Sequence, residues 1–372
     1  MNLPPTRDIL ETIQNAVLPA AGGAALIVCV SHVLGRVFIA IASRLGACWE
    51  YFRTGYLYRG ARGAALCRHL VGLGVAFAVV VGFMAGNFSL SNIPPGEVPT
   101  WNNTTRLISW KPGENPAGWN WLPRAGLLLI AVGLLSRWVG SIAAHSLPDR
   151  LWWGANLFVW TPRLAAVVIA SGWLSSGKAN EGVYWLSQAL GLRFELACAM
   201  FLVWLALDGL AYPRPSAEAE YEPNREPDAS GSVEAAGYLW LISLAAAALL
   251  LYSHSARFME IALILSAAMF GVAVAAGPIR ADASAVVPAG VAFIPGLMLA
   301  AHSSLPENAV PDRSFWLIAL APLVLIPFQL PALARRQGWF VRLIRVVLVL
   351  APLLTAIVLA AQHETIAGQE EW

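Results

Sequence analysis

The chain carries little charge for its length. Asp, Glu, Lys and Arg make up only 12% of its 372 residues, whereas 58% are hydrophobic; charged residues are about a quarter of an average soluble domain. This composition excludes both an ordinary soluble domain and a disordered segment. The formal net charge of +2 gives no reason to expect a nucleic-acid partner, and we expect none.

Cysteine and the motifs of known chemistry are also scarce. The chain has 4 cysteines, and most of them fall within apolar runs, so we expect no structural disulfide. His254, His302 and His363 lie at the ends of apolar runs, and we interpret them as interfacial histidines rather than metal ligands. No nucleotide-binding or catalytic motif occurs in the sequence. The sequence therefore names no reaction, and we expect neither a metal nor a cofactor.

What the chain does contain is a series of long apolar runs. Ten of them approach the about 20 residues that an α-helix needs to cross the hydrocarbon core of a bilayer. They cover approximately residues 20–43, 64–87, 123–146, 151–176, 184–211, 235–253, 258–277, 286–302, 314–333 and 340–361. The eighth run is short and contains Pro288 and Pro295, so a re-entrant segment enclosed by protein is an alternative there. The sequence thus predicts an all-α, polytopic transmembrane helix bundle of about ten spans in a lipid bilayer.

The loops between these runs differ in positive charge. If all ten runs cross the membrane, the loops that contain Arg53, Arg62 and Arg335 lie on one side, which holds more arginine and lysine than the side of the termini. Cytoplasmic loops carry such an excess, so we expect both termini outside the cytoplasm. The abundance of alanine and arginine favours a bacterial source, and hence the bacterial cytoplasmic membrane as the location.

A polar segment divides the series of runs into two halves. Residues Pro213–Ser232 are acidic and rich in proline, and such a segment cannot bury a core. We therefore predict an N-terminal five-span bundle over residues 1–212, a cytoplasmic linker over 213–234 and a C-terminal five-span bundle over 235–372. Five spans per half would give the halves opposite orientations, as in inverted-repeat transporters, although we find no internal sequence similarity between them.

The N-terminal half places charged residues inside its apolar runs. In the first run, His32 and Arg36 are one helical turn apart near the middle. Positions three or four residues apart around them form a stripe of small or polar residues, which we expect to face the protein: Gly22, Ala25, Cys29, His32, Arg36, Ala40 and Ser43.

Later runs of this half add further charges near their middles, namely Arg137, Arg163, Arg193 and Glu195. A charge near the bilayer centre costs between about 2.5 and more than 10 kcal/mol, so it requires a partner, water or a function. We therefore expect the arginines to converge and at least two of them to share Glu195.

The excess of buried arginine suggests a substrate-binding site formed by His32, Arg36, Arg137, Arg163, Arg193 and Glu195. Guanidinium groups bind carboxylates and phosphates through paired hydrogen bonds, so a small anion or an anionic lipid is the expected partner. The resulting hypothesis is a carrier or lipid-handling protein for an anionic substrate.

Two alternatives remain open at this point. The chain could be a non-catalytic membrane subunit or scaffold of a larger complex, in which the buried charges only fix helix packing and the tryptophan-rich loop at residues 88–122 contacts other subunits. It could instead be an integral membrane transferase, with His32 and Glu195 as an acid/base pair.

Prolines interrupt two of the runs at corresponding positions of the two halves. Pro162 lies at the middle of the fourth run, and Pro322 and Pro327 lie within the ninth. Proline removes a helix hydrogen bond, and broken helices at matching positions of two halves are a pointer to a transport site. Because Pro288, Pro295 and Pro352 show that the second half is generally rich in proline, we prefer to interpret these prolines as ordinary helix kinks.

Overall fold

A computed structural model shows helices, with short turns beside some of them, in the part of the chain that it describes. The described residues are 13–53, 74–75, 78–82, 122–146, 152–174, 186–211, 230–253, 255–279, 282–304, 310–330, 333 and 338–370. Within these ranges there is no β-strand. The predicted all-α class is therefore confirmed, while the loop at residues 88–121 and most of the linker lie outside the described residues.

Most of the helices begin and end close to the predicted apolar runs, whereas the first and the last helix continue well beyond the ends of theirs. A π-helical turn at Ile13–Val17 leads into the first of them. The helices are α1 (Leu18–Arg53), α2 (Leu122–Ser146), α3 (Trp152–Leu174), α4 (Leu186–Ala211), α5 (Ser230–Tyr252), α6 (Ala256–Ile279), α7 (Val286–Ser304), α8 (Asp312–Ala319) and α9 (Trp339–Glu370), with a 3₁₀ segment at Ala321–Gln329 between α8 and α9. Of the second predicted run, the described residues 74–75 and 78–82 are helical.

Several of these helices are suited to a membrane by length and composition. Five contain a window long and apolar enough to cross one, and three shorter apolar stretches accompany them. The five windows are Leu157–Leu174, Arg193–Ala211, Gly231–Tyr252, Phe258–Ile279 and Trp339–Glu364. The shorter stretches are Leu18–Leu34, Arg124–Ser136 and Val286–His302. The chain is therefore an integral membrane protein by its helix composition.

The eighth run forms the centre of the described core. Helix α7 continues through Pro295, and every residue from 286 to 301 is buried. A helix that is apolar on all sides is stable where protein encloses it, and α7 packs on α2, α4, α5 and α8. Protein therefore encloses this run, and its assignment as a span or as a re-entrant segment stays a prediction.

One hydrophobic core joins helices from both sides of the linker. Helix α1 packs on α6, α2 packs on α7, and α4 packs on the 3₁₀ segment. Residues that precede Pro213 therefore share their core with residues that follow Ser232. The division into two five-span bundles stays a prediction.

The buried face of α1 differs from the expected stripe. The fully buried positions are Ala20, Ala24 and Val28, in line with Ala16 of the π-helical turn, whereas Gly22 and Cys29 are exposed. The expected stripe is thus displaced by about one residue, or about 100° around the helix. The reason lies in the partner helix: Gly271 of α6 approaches the backbone carbonyl of Ala21 so closely that no Cβ would fit, and this approach sets which side of α1 faces inwards.

The ninth run is broken at its prolines. Helix α8 ends at Ala319, and the chain continues as the 3₁₀ segment with Pro322 near its start and Pro327 inside it. Each proline lacks the N–H that an α-helical hydrogen bond needs. Pro162, in contrast, lies inside α3 without ending it.

Candidate functional site

Arg163 is the most completely buried charged residue that the structure describes. It lies at the midpoint of α3, and its exposed fraction is 1%. A guanidinium cannot lose its proton in a protein, so the surroundings must stabilise a permanent positive charge. The groups around Arg163 therefore define a candidate site.

Two neighbouring helices provide hydrogen-bond acceptors for this guanidinium. Arg163 Nε donates to Ser136 Oγ of α2 at 2.9 Å, and Nη1 donates to Asp208 Oδ2 of α4 at 2.8 Å. Ser136 Oγ in turn donates to the carbonyl oxygen of Gly133 at 3.0 Å. Ser136 can accept from Arg163 because its own proton is used on its own helix. The guanidinium thus links α2, α3 and α4.

Two tryptophans cover the guanidinium. Its Cζ atom lies 4.7 Å from the ring centroid of Trp160 and 5.2 Å from that of Trp204. Trp160 is three residues before Arg163 and therefore on the same face of α3, whereas Trp204 comes from α4. The ring of Trp160 also meets Phe201 edge-on, with centroids 5.6 Å apart. Cation–π contacts of this kind contribute about 2 kcal/mol when they are desolvated.

The indole of Trp204 carries an unsatisfied donor. Its side chain is fully buried, and Nε1 has no hydrogen-bond acceptor among the described residues. Burying an unpaired donor costs about 1–3 kcal/mol. The centroid of this ring lies 5.2 Å from Arg163 Cζ, so an acceptor supplied to this N–H by a ligand would remove the cost of the unpaired donor in the same part of the core.

Asp208 is the accessible member of the ion pair. Its side chain is 15% exposed, compared with 1% for Arg163. Asp208 lies in the last turn of α4, one turn after Trp204. The carbonyl end of a helix favours a nearby positive charge, so the end of α4 helps to stabilise Arg163 independently of the carboxylate.

The 3₁₀ segment of the ninth run is hydrogen-bonded to α4 close to Asp208. Gln329 Nε2, at the end of the 3₁₀ segment, donates to the backbone oxygens of Leu205 at 3.1 Å and Ala206 at 2.7 Å. Gly209 makes this possible, since a Cβ there would collide with the Gln329 carboxamide. The 3₁₀ segment is therefore attached to the part of α4 that carries Trp204 and Asp208.

The predicted site residues differ in how deeply the structure buries them. Arg163 is buried with polar partners, Arg193 and His32 are half-buried, and Glu195 is exposed. Arg36 and Arg137 belong to α1 and α2, but their side chains lie outside the described residues. Of the six predicted residues, Arg163 is thus the one that the structure places at the centre of a described polar network.

Arg163 pairs with a carboxylate that sequence reasoning did not single out, that of Asp208. The sharing of Glu195 by at least two of the arginines stays a prediction. Asp208 is close to the end of the fifth apolar run and reads as an interfacial residue from sequence alone. Its spacing of four residues from Trp204, which puts both on one face of α4, was the signal available.

The acid/base pair suggested for a transferase does not assemble in the described contacts. Glu195 is exposed on α4, and His32 is half-buried on α1. Helix α1 packs mainly on α6, whereas α4 packs on α3, α5, α7 and the 3₁₀ segment. No described contact brings the imidazole and the carboxylate together.

A second buried arginine joins the C-terminal helices. Arg345 of α9 is 6% exposed, and its Nη1 donates to Glu234 of α5 at 3.3 and 3.4 Å. Tyr238 also donates to Glu234, at 2.6 Å, and the Arg345 Cζ lies 5.2 Å from the Phe328 ring centroid. Like Arg163, Arg345 has a carboxylate and an aromatic ring, and sequence reasoning did not single it out as a buried residue.

The described histidines and acids do not form a metal centre. Among the residues that the structure describes, no three of His, Cys, Asp and Glu are grouped closely enough to hold an ion. His302 Nε2 lies 2.9 Å from Asp312 Oδ1 and its ring meets Phe315 edge-on. This arrangement joins α7 to α8.

Comparison with known proteins gives no relative. No family model matches the chain, and no curated protein or solved structure resembles it significantly. The proposals below therefore depend on the residues of the chain itself.

Proposed function

We propose that the chain is a carrier or lipid-handling protein for an anionic substrate, and that Arg163 binds the anion. In this proposal about ten spans, arranged as two five-span halves, cross a bacterial cytoplasmic membrane with both termini outside the cytoplasm. Arg36, Arg137, Arg193, Glu195 and His32 line the route of the substrate.

The observation that carries the proposal is the indole-covered guanidinium beside an unsatisfied donor. A residue that only fixed packing would be expected to have neighbours whose polar groups are all paired, because each unpaired buried group is costly. Trp204 Nε1 has no acceptor among the described residues, and the carboxylate on Arg163 is partly accessible. Arg345 also has an unpaired donor and a partly exposed carboxylate, but that carboxylate is additionally held by Tyr238. The proposal therefore places the anion at Arg163, where two indoles cover the guanidinium.

A scaffold in a larger membrane complex is the second candidate. It is favoured by the neutrality of the pair, since Asp208 already balances the charge of Arg163. A buried pair can serve to fix helix positions rather than to bind a ligand.

A melting assay on the detergent-solubilised protein separates the two candidates. The variant is Arg163→Lys, which keeps the charge but loses the planar fork of donors. The matched control is Arg345→Lys, a substitution of the other buried arginine that pairs with a carboxylate. Phosphate, organic carboxylates and phosphatidylglycerol serve as ligands.

A carrier should be stabilised by one of these anions. A ligand present at about a hundred times its dissociation constant raises the free energy of unfolding by about 2.7 kcal/mol. We expect this gain in the wild type and in the control, Arg345→Lys. We expect no such gain in Arg163→Lys. Equal responses of all three proteins, or none, would favour the scaffold.

A further inference from the structure

The indole N–H of Trp204 is a donor that the described contacts leave unused. The residue is fully buried in α4, and its Nε1 has no acceptor among the described residues. This N–H is the polar group of a tryptophan side chain and acts only as a donor. Because most buried polar groups in proteins are paired, the N–H of Trp204 suits an acceptor that a bound molecule supplies.

The contacts of Gly133 locate the edge of the ring that carries this N–H. A Cβ at Gly133 would lie 3.3 Å from Trp204 Cζ2, and one ring atom separates Cζ2 from Nε1. Ser136 Oγ accepts from Arg163 Nε and donates to the carbonyl oxygen of Gly133. The N–H edge of Trp204 and the hydrogen bond between Arg163 and Ser136 therefore lie beside the same turn of α2, residues 133–136.

The described groups at this turn do not supply the acceptor. Ser136 Oγ already accepts from Arg163 and donates to Gly133. On α7, Pro288 presents only its Cγ atom, which would lie 2.8 Å from a Cβ at Gly133. The N–H of Trp204 is thus directed neither to a described hydroxyl nor to a described carbonyl, although it lies in the same part of the core as the guanidinium.

We propose that the substrate is an oxyanion with two or more oxygens on one acid group, such as a carboxylate or a phosphate, and that Trp204 Nε1 donates to one of these oxygens. This inference rests on the proposed function, in which Arg163 binds the anion. Arg163 takes one oxygen and Trp204 takes another. Trp204 is then the residue that selects the class of anion.

The directions of the two donors favour an acid group with two oxygens. An indole N–H lies in the plane of its ring, whereas Arg163 Cζ lies over the Trp204 ring, 5.2 Å from its centroid. A single-atom anion that is aligned with one of these donors is not aligned with the other, and hydrogen bonds weaken steeply when they are bent. The two oxygens of a carboxylate or phosphate can accept from both donors. The site should therefore prefer oxyanions to halides.

Trp160 provides a matched comparison on the same guanidinium. Its ring centroid lies 4.7 Å from Arg163 Cζ, so it contributes the same kind of cation–π contact as Trp204. Trp160 is half-buried, however, and has no unpaired buried donor. The same chemical change at both positions alters the ring contact in both cases but removes the proposed donor only at Trp204.

The test is isothermal titration of the full-length protein in phosphatidylcholine nanodiscs, with acetate and dimethyl phosphate as probes. Trp204 is replaced by benzothienylalanine through amber suppression, so that a sulfur atom takes the place of the N–H in a ring of similar shape. The same replacement of Trp160 is the control. A hydrogen bond to a charged group is strong enough that its loss should weaken oxyanion binding by about tenfold or more. The control should keep the affinity of the wild type.

A second pair of variants covers the case in which the benzothienylalanine protein does not fold. Trp204→Phe also lacks the N–H and keeps an aromatic ring, and Trp160→Phe is its control. In that case the loss of oxyanion affinity in Trp204→Phe relative to Trp160→Phe decides the proposal.

The anion class and its source are tested separately. Bromide should bind to the wild type more weakly than acetate does, and equal or tighter binding of bromide overturns the preference for oxyanions. Phosphatidylglycerol mixed into the nanodiscs carries the same phosphodiester as dimethyl phosphate, and its binding is measured as a rise in melting temperature. A rise that requires the Trp204 N–H identifies a lipid headgroup as the oxyanion, whereas an effect of Trp204 on the soluble probes identifies a free anion.

Two negative results are distinguishable. Oxyanion binding that is lost in Arg163→Lys but is independent of the Trp204 N–H overturns the inference and leaves the proposed function in place, as does an equal loss when Trp160 is replaced. Absence of binding of the soluble probes and of phosphatidylglycerol by the wild type overturns the inference together with the proposed function.

Discussion

Removing either member of the Arg163–Asp208 pair should cost stability, but by unequal amounts. Asp208→Leu removes the described carboxylate partner of a guanidinium with 1% exposure, whereas Arg163→Met leaves a carboxylate that is still 15% exposed and can be hydrated in part. The double variant, Arg163→Met with Asp208→Leu, leaves neither charge. The pair thus permits a double-mutant cycle with a defined order of outcomes.

The magnitudes follow from the contacts of each side chain. Breaking a buried pair by removing one partner costs about 3–5 kcal/mol, and we expect Asp208→Leu to fall in this range. Arg163→Met removes the hydrogen bonds at 2.9 and 2.8 Å and both ring contacts, for a loss of about 2–3 kcal/mol. Replacing a whole buried pair by apolar residues is often close to neutral, so the double variant should be more stable than Asp208→Leu.

The assay is unfolding in mixed detergent micelles, followed by the far-ultraviolet circular dichroism of the helices. Each variant is first checked for a single species by size-exclusion chromatography. If the double variant loses as much free energy of unfolding as the two single variants lose together, the two residues act independently. That result would refute the assignment of Asp208 as the partner of Arg163.

The remaining predictions concern glycines at close helix contacts. Gly209→Ala should displace the Gln329 carboxamide and break its two hydrogen bonds, which lowers the free energy of unfolding by about 0.5–1.5 kcal/mol for each bond. Gln329→Leu should lower it by a similar amount, and the double variant by no more than the larger of the two single losses. Additive losses in thermal melts would contradict the contact. Gly271→Ala should destabilise the packing of α1 on α6, because its Cβ would meet the backbone of Ala21. Gly277→Ala on the same helix is the control, since its Cβ meets only a methyl group at ordinary distance, 3.8 Å away; equal melting shifts for both would show that α1 does not approach α6 at Gly271.

The elements whose cause is local could be predicted from the sequence. A run of apolar residues must satisfy its own backbone hydrogen bonds in lipid, and a helix does so within the run. The bounds of α2, α3 and α4 therefore agree with the predicted runs, and the break at Pro322 and Pro327 follows from the missing N–H groups. The exclusion of a soluble domain has the same origin, because it depends on composition alone.

Features that depend on a neighbouring helix could not be predicted from the sequence. The buried face of α1 is set by the approach of Gly271, a residue far along the chain. In the same way, Asp208 is the partner of Arg163 because α3 and α4 bring them together, although Glu195 lies nearer to the middle of its run.

The sequence by itself thus determined that the chain is helical, that it belongs in a membrane and that Arg163 needs a compensating partner. The physical reason is that hydropathy, proline chemistry and the cost of a buried charge are properties of single segments. The tertiary structure decided that Asp208 compensates Arg163 and that two indoles cover the guanidinium. It also decided that Gln329 is hydrogen-bonded to α4, the helix that carries Asp208. These depend on which helix faces lie against each other, and several faces of an apolar helix are nearly equivalent until a neighbour packs on one of them.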